Sequence, residues 1–176
     1  MKSKKQGVSG IQIRISGLSN DVHEYHFSVE PQDLLLEKNF RTRVEIDAHL
    51  EKTPRQLFLR TSIHTAAMFQ CDRCLKEFNK PLSAEYSMVY VYHEDEIGQY
   101  DPEEASVIPP DTVSIELADD VCQMVVLSVP LKLLCSDTCK GLCPRCGCDL
   151  NTRLCSCTQE QVTDSRWQGL KDLLNK

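Results

Sequence analysis

Alternation of apolar and polar side chains with a period of two dominates the first ninety or so residues, and that period belongs to half-buried strands. Ile11, Ile13 and Ile15 share one side, and Tyr25, Phe27 and Val29 repeat the pattern after a turn supplied by Gly17, Ser19, Asn20 and Asp21. The alternation resumes from Phe40 through Val44, Ile46, Ala48 and Leu50, breaks at Thr53-Pro54, and returns in Leu57, Leu59, Thr61, Ile63 and Thr65. These two runs predict long antiparallel strands joined by a turn. The second runs on through Ala67 and Phe69 into Cys71, and a further strand alternates Leu82, Ala84, Tyr86, Met88, Tyr90 and Tyr92. Cys71 and Cys74 are therefore expected at a hairpin tip. Leu34-Leu35-Leu36 fits a short helix and a strand entry equally well.

The period is lost at about residue 94. Residues 94–120 hold ten acidic residues and no Lys or Arg, interrupted by Pro102, Pro109 and Pro110, which predicts a loop or linker with a short strand near Val113 to Leu117. A helix is expected from about Ala118 to Ser128, with Leu117, Val121, Met124 and Val125 at helical spacing, Cys122 in the core and Pro130 as the stop. Farther on, Thr163 is placed to cap a final helix whose Trp167, Leu170, Leu173 and Leu174 make one apolar stripe. The fold class is thus α+β: an antiparallel β-rich N-terminal domain with a C-x-x-C hairpin tip, then a helix, a cysteine-rich zinc-binding segment and a C-terminal helix. The expected boundaries are 1–117 for the β-rich domain, ending in the acidic loop, 118–134 for the connecting helix and strand-like segment, 135–158 for the zinc knuckle and 159–176 for the last helix.

Composition narrows the chemistry. The 176 residues are 41% hydrophobic and 26% charged, ordinary for one soluble domain with an extension. No run approaches the ~18 apolar residues of a spanning helix, and the basic start MKSKKQGVSG lacks a following apolar core. A cytoplasmic protein is expected, with no membrane partner. In a reducing compartment the ten cysteines read as metal ligands rather than disulfides.

Seven of those ten cysteines fall in residues 135–157. A structural zinc ion takes four ligands, so eight thiolates saturate two ions and leave two cysteines over: Cys122, in the helix, and Cys148, between Gly147 and Asp149. The favoured partition puts Cys143, Cys146, Cys155 and Cys157 in one site, because the turn after Cys146 can fold the C-x-C back onto the knuckle. Cys71, Cys74, Cys135 and Cys139 would form the other. A rival partition joins Cys71 and Cys74 to Cys143 and Cys146. Iron also accepts tetrathiolate sites. None of His23, His26, His49, His64 or His93 has ligand-like spacing with the cysteines, so no catalytic residue is assigned and no enzyme is expected.

The combination Cys71-Asp-Arg-Cys74-Leu, Leu127-Ser-Val-Pro-Leu, Cys135-x-x-x-Cys139-Lys-Gly-Leu-Cys143-Pro-x-Cys146-Gly, Asp149-Leu-Asn, Cys155-x-Cys157 and Leu170-Lys-x-Leu-Leu resembles the bacterial YceD family of large ribosomal RNA subunit accumulation proteins. The resemblance covers the chain from about residue 40. It implies a non-enzymatic factor for accumulation of large-subunit ribosomal RNA, and it favours Cys135 and Cys139 as partners of Cys71 and Cys74. The chain departs from the family pattern at Asp164-Ser165-Arg166, where Asp-Pro-Arg is common, and in carrying Cys148.

Charge bears on the partner. The formal net charge of −6 becomes about −10 once eight thiolates hold two Zn²⁺, which argues against nonspecific coating of RNA. Outside 94–120, however, 16 acidic residues face 20 basic ones. Arg73, Lys76, Lys140, Arg145 and Arg153 lie beside the cysteine pairs and are the candidate RNA or partner contacts, with Lys80 and Lys132 nearby. The expected partner is large-subunit ribosomal RNA or a ribosomal protein of that subunit, with no small-molecule substrate. The alternative function is a thiol-disulfide or metal-transfer protein using the C-x-x-C pairs.

Overall fold

The computed structural model describes residues 11–157. Its strands are β1 (Gln12–Arg14), β2 (Val22–Val29), β3 (Val44–Lys52), β4 (Gln56–Gln70), β5 (Glu77–Val91), β6 (Ala105–Val107) and β7 (Ser114–Glu116). The helices are α1 (Glu94–Ile97) and α2 (Ala118–Leu127), and a 3-10 turn spans Pro31–Leu34. One five-stranded sheet runs β2-β3-β4-β5-β6, and β1 pairs with β7 in a separate two-stranded ribbon. Among the described residues no helix is long and apolar enough to cross a membrane.

The period of two places one side chain in every pair on the core. Phe27, Ile46, Ile63 and Ala84 lie opposite one another across four strands, and so do Tyr25, Ala48, Thr61 and Tyr86. That face is covered by Ile11, Ile13, Ile15 and Ile115 of the ribbon and its flanks, Leu34 of the 3-10 turn, and Val121 and Val125 of α2. Each fully buried Ile or Leu contributes about 1.5–3 kcal/mol, which is what fixes the register. The opposite face is polar over β2 and β3, where His26 bonds Asp47 at 2.8 Å, and turns apolar towards β6, where Phe58, under Arg60 at 5.6 Å, packs on a small second cluster of Val89, Val91 and Ala105.

The run of Ile11, Ile13 and Ile15 finds its partner far along the chain: β1 pairs with β7, Ile13 opposite Ile115. Three expectations change. The sheet is mixed rather than wholly antiparallel, because β6 lies parallel to β5. Residues 94–120 carry more than the expected loop and short strand: that strand is β7, but the segment also forms α1 and β6, with Ala105 and Val107 packed on Val89 and Val91. Apolar residues hidden among acidic ones create that order. Cys122 is half-buried on α2 rather than in the core. The expected helix with Trp167, Leu170, Leu173 and Leu174 lies outside the described residues.

What positions the cysteines is the unequal length of the strands. β4 and β5 are 15 residues each, while β3 pairs with β4 only as far as His64. The remaining hairpin, Thr65 to Gln70 against Glu77 to Leu82, projects as a two-stranded arm of about 20 Å at ~3.4 Å per residue. Its root is braced where Phe40 bridges Ala67, Met68 N–H donates to the Asn39 carbonyl at 2.9 Å, and Thr42 Oγ1 donates to the Ala66 carbonyl at 2.7 Å. Cys71 and Cys74 sit at the tip.

Candidate metal centres

Two turns, Cys71 to Lys76 and Cys143 to Cys148, share one backbone plan. In the first, Leu75 N–H donates to the Cys71 carbonyl and Cys71 N–H to the Lys76 carbonyl, both at 2.9 Å. In the second, Gly147 N–H donates to the Cys143 carbonyl at 2.9 Å and Cys143 N–H to the Cys148 carbonyl at 2.8 Å. The N–H groups of Arg73 and Cys74 are aimed at the Cys71 sulfur, and those of Arg145 and Cys146 at the Cys143 sulfur. Closing such a turn requires the fifth residue to be left-handed. Gly147, at φ 69°, meets this without a Cβ clash, whereas Leu75 holds φ 60° at a cost of roughly 1–2 kcal/mol.

The first turn gathers with a distant segment. The sulfurs of Cys71, Cys74, Cys135 and Cys139 all lie within 4.8 Å of one another, with Cys71 and Cys139 at 3.8 Å and Cys74 and Cys135 at 3.6 Å. A tetrahedron with Zn–S near 2.3 Å has an S···S edge of about 3.8 Å, while a disulfide needs about 2.05 Å, so this set fits an ion and not a pair of bridges. Three of the four cysteines are buried.

Uncharged and charged groups around it hold the segment in place. Asp72 Oδ2 accepts Leu133 N–H at 2.7 Å, and Asp72 N–H donates to the Leu133 carbonyl at 2.8 Å. The Arg73 guanidinium donates to the Cys139 carbonyl at 2.7 Å. Gly141, at φ 77°, passes so close that a Cβ would stand 3.0 Å from the Arg73 carbonyl oxygen. Asn151 Oδ1 accepts Lys140 N–H at 2.8 Å while its Nδ2 lies 3.5 Å from the Cys139 sulfur.

The second set is local. Cys143, Cys146, Cys155 and Cys157 also bring their sulfurs within 4.8 Å, with Cys146 and Cys155 at 3.5 Å and Cys143 and Cys155 at 3.3 Å. Cys157 N–H donates to the Cys155 sulfur at 3.3 Å, and Leu142 bridges Asp149 to close the turn between them. Cys146 is exposed, so this site is more open than the first. The grouping follows the partition of Cys71 and Cys74 with Cys135 and Cys139, not with Cys143 and Cys146.

The thiols of each set divide into ready and reluctant members. Burial raises Cys71, but the N–H groups of Cys135, Cys74 and Arg73 outweigh it and bring the thiol down to about 6. The neighbouring Cys74 sulfur, helped by burial, pushes Cys135 up to about 12. In the second set the N–H and thiol of Cys148 lead in bringing Cys146 down to about 6, and the adjacent Cys155 and Cys146 thiols drive Cys157 up to about 12. Sulfurs this close share protons in the metal-free protein, and an ion would replace those protons. Cys148 is buried beside the second set and is pushed up to about 11, first by the Cys146 thiol.

Of the basic residues, Arg73 is engaged with Cys139, Lys76 and Lys140 line a cleft beside the first set, and Arg145 and Arg153 are exposed around the second. Sequence reasoning missed Asp72, Gly141 and Asn151. Gly141, between Cys139 and Cys143, was the one legible signal of a close approach.

Comparison with known proteins supplies the family. The family model described as "Large ribosomal RNA subunit accumulation protein YceD" matches residues 59–174. A chloroplastic "Large ribosomal RNA subunit accumulation protein YCED homolog 1" of Arabidopsis thaliana is 22% identical over 145 residues, which cover 68% of this chain and 45% of that protein. An uncharacterized protein of Mycobacterium tuberculosis is 24% identical over 140 residues, covering 74% of this chain and 62% of its own length. The chain therefore spans about half to three-fifths of the curated relatives it matches. No solved structure matches at a significant level. The matched span runs from near the start of β4 through both cysteine sets, and the chain belongs to the YceD family of large ribosomal RNA subunit accumulation proteins.

Proposed function

We propose that this protein is a non-enzymatic, cytoplasmic, zinc-stabilised factor that supports accumulation of large-subunit ribosomal RNA by binding precursor RNA or a ribosomal protein of that subunit. The observation that carries the reading is that each set brings four cysteine sulfurs within 4.8 Å of one another with no His or carboxylate in the group, which suits a closed structural ion with no position left for a substrate. Family membership supplies the ribosomal direction. When bound, zinc would supply rigid cross-links, between the hairpin tip and residues 135–139 in one case and within 143–157 in the other. The chain's own part is to aim N–H groups at the sulfurs and to present the surfaces around them.

A ribosomal protein as partner is favoured by a cleft of about 540 Å³ where Glu85, Glu103, Glu104 and Asp120 converge, since ribosomal proteins offer cationic segments. The reactive-thiol alternative draws on Cys71 and Cys146, both brought to about 6. Elemental analysis of protein purified without added metal should return close to two zinc per chain; ten freely titratable thiols and no metal would refute the structural role. Depletion of the protein should lower large-subunit relative to small-subunit ribosomal RNA, and its pull-down should recover large-subunit RNA or protein. Rapid alkylation of Cys71 in metal-loaded protein would instead favour the thiol-exchange function.

A further inference from the structure

A cleft of about 500 Å³ opens beside the first metal site. Cys74, Lys76, Phe78, Cys135, Ser136 and Thr138, on and around the first site, line one part of it. Lys140, Asp149, Asn151 and Thr152 complete the lining. The volume falls within the ~300–1,000 Å³ range of small-ligand pockets.

Its lining has a definite chemistry. Lys76 and Lys140 are exposed, and neither forms an ion pair among the described residues. Asp149 is the only carboxylate among the lining residues, and its Oδ1 is already occupied by the backbone N–H and side-chain Nδ2 of Asn151, at 2.8 and 2.7 Å. Phe78 is half-buried: it packs on the buried cysteines of the first site while also lining the cleft. Hydroxyls of Ser136 and Thr138, 3.1 Å apart, complete the rim. Two free cations, one aromatic wall and neutral hydrogen-bonding groups are the components with which single-stranded nucleic acid is held. An acidic peptide would use the lysines but has no call on an aromatic wall.

We infer that this cleft takes one unpaired nucleotide of an RNA strand, its base against Phe78 and its flanking phosphates on Lys76 and Lys140. The inference rests on the ribosomal function proposed above and selects RNA as the partner of this face. The uncharged base suits the wall nearest the thiolate-rich centre, and the phosphates belong on the lysines at the rim. Duplex RNA is disfavoured, because its base faces are stacked away from any side chain.

The test uses the metal-loaded full chain and a fluorescein-labelled oligouridine 12-mer, with binding followed by anisotropy over a range of KCl concentrations. The single strand should bind in preference to a 12-bp duplex. Lys76→Ala with Lys140→Ala should weaken binding at least tenfold and flatten the log–log salt slope by about 1.4, since each single-strand phosphate contact contributes ~0.7. Phe78→Leu keeps an apolar contact with the cysteines and should weaken binding about tenfold with the salt slope unchanged. Both variants should retain the metal content of the parent. Equal binding by parent and lysine variant, preference for duplex, or capture of a labelled hexaglutamate in place of RNA would overturn the inference. Recovery of large-subunit RNA from cells separates the two readings: recovery by parent and variants alike removes the cleft and leaves the ribosomal function standing, whereas no recovery of large-subunit RNA or protein by the parent removes that function.

Discussion

The two cysteine sets use the same turn for different tasks. Cys71 and Cys74 draw their partners from some sixty residues along the chain, so an ion there ties the hairpin arm to the segment that follows α2. Cys143 and Cys146 find theirs within the next eleven residues, and an ion there closes only its own loop. The first set is mostly buried and backed by Asp72, Arg73 and Gly141; the second leaves Cys146 exposed. A shared local motif thus yields a tertiary clamp in one place and a self-contained knuckle in the other. The difference lies in what chain surrounds the turn.

The largest effects should come from opening each site in turn. Cys71→Ser should release one of two metal equivalents and, because the arm loses its anchor, lower unfolding free energy by about 5 kcal/mol or more, read by denaturant titration with parallel metal analysis. Cys143→Ser should also release one equivalent, yet leave sheet stability within about 1 kcal/mol and expose amides only in 143–157 to hydrogen exchange. If either variant lost both ions, the two sites would be one unit and the contrast would collapse.

Smaller changes probe the backing of the first site. Asp72→Ala removes the acceptor for Leu133 N–H, and metal affinity at the first site should fall about 10–100-fold while the second is untouched, as measured by chelator competition. An equal fall at both sites would show that Asp72 acts on the fold and not on the clamp.

Acidification should separate the sites further. Ions compete with protons for each thiol, so affinity falls as pH falls. In the first site Cys135, up at about 12, and Cys74, also raised above its ordinary value, must both give up protons at neutral pH. In the second Cys157 stands at about 12, but Cys143 is lowered by the N–H groups of Cys146 and Arg145. The first site therefore holds its protons more tightly than the second, and its affinity should fall more steeply on acidification. Parallel slopes in a metal-indicator titration would contradict this. The smallest effect concerns Leu75: Leu75→Gly should relieve its left-handed strain, with metal content unchanged and stability altered by less than about 1 kcal/mol. A loss of the first ion would mean that the leucine side chain itself braces the turn.

Much of the sheet was legible because a two-residue period survives any tertiary context that buries one face. Val44, Ile46, Ala48 and Leu50 announce β3, and the long alternation on either side of Cys71 and Cys74 announces the arm and its tip. Helix α2 was readable from Val121 and Val125 four apart. The partner of β1 was not. Pairing with β7, more than a hundred residues later, depends on apolar faces meeting across α2, and no local pattern encodes it. The parallel strand β6 was hidden because its three residues are surrounded by carboxylates and prolines.

The same division runs through the metal centres. Spacing alone determined that Cys143, Cys146, Cys155 and Cys157 could close on one another, since a turn of a dozen residues has few ways to fold and its own glycine supplies the left-handed corner. Sequence also placed Cys71 and Cys74 at a hairpin tip. That Cys135 and Cys139 come to meet them was decided by the tertiary structure: α2 packs on the sheet, the chain leaving it runs past the arm, and Asp72 fixes it there through Leu133. A contact made across sixty residues is specified by the packing of everything between, and that packing exists only in the folded chain.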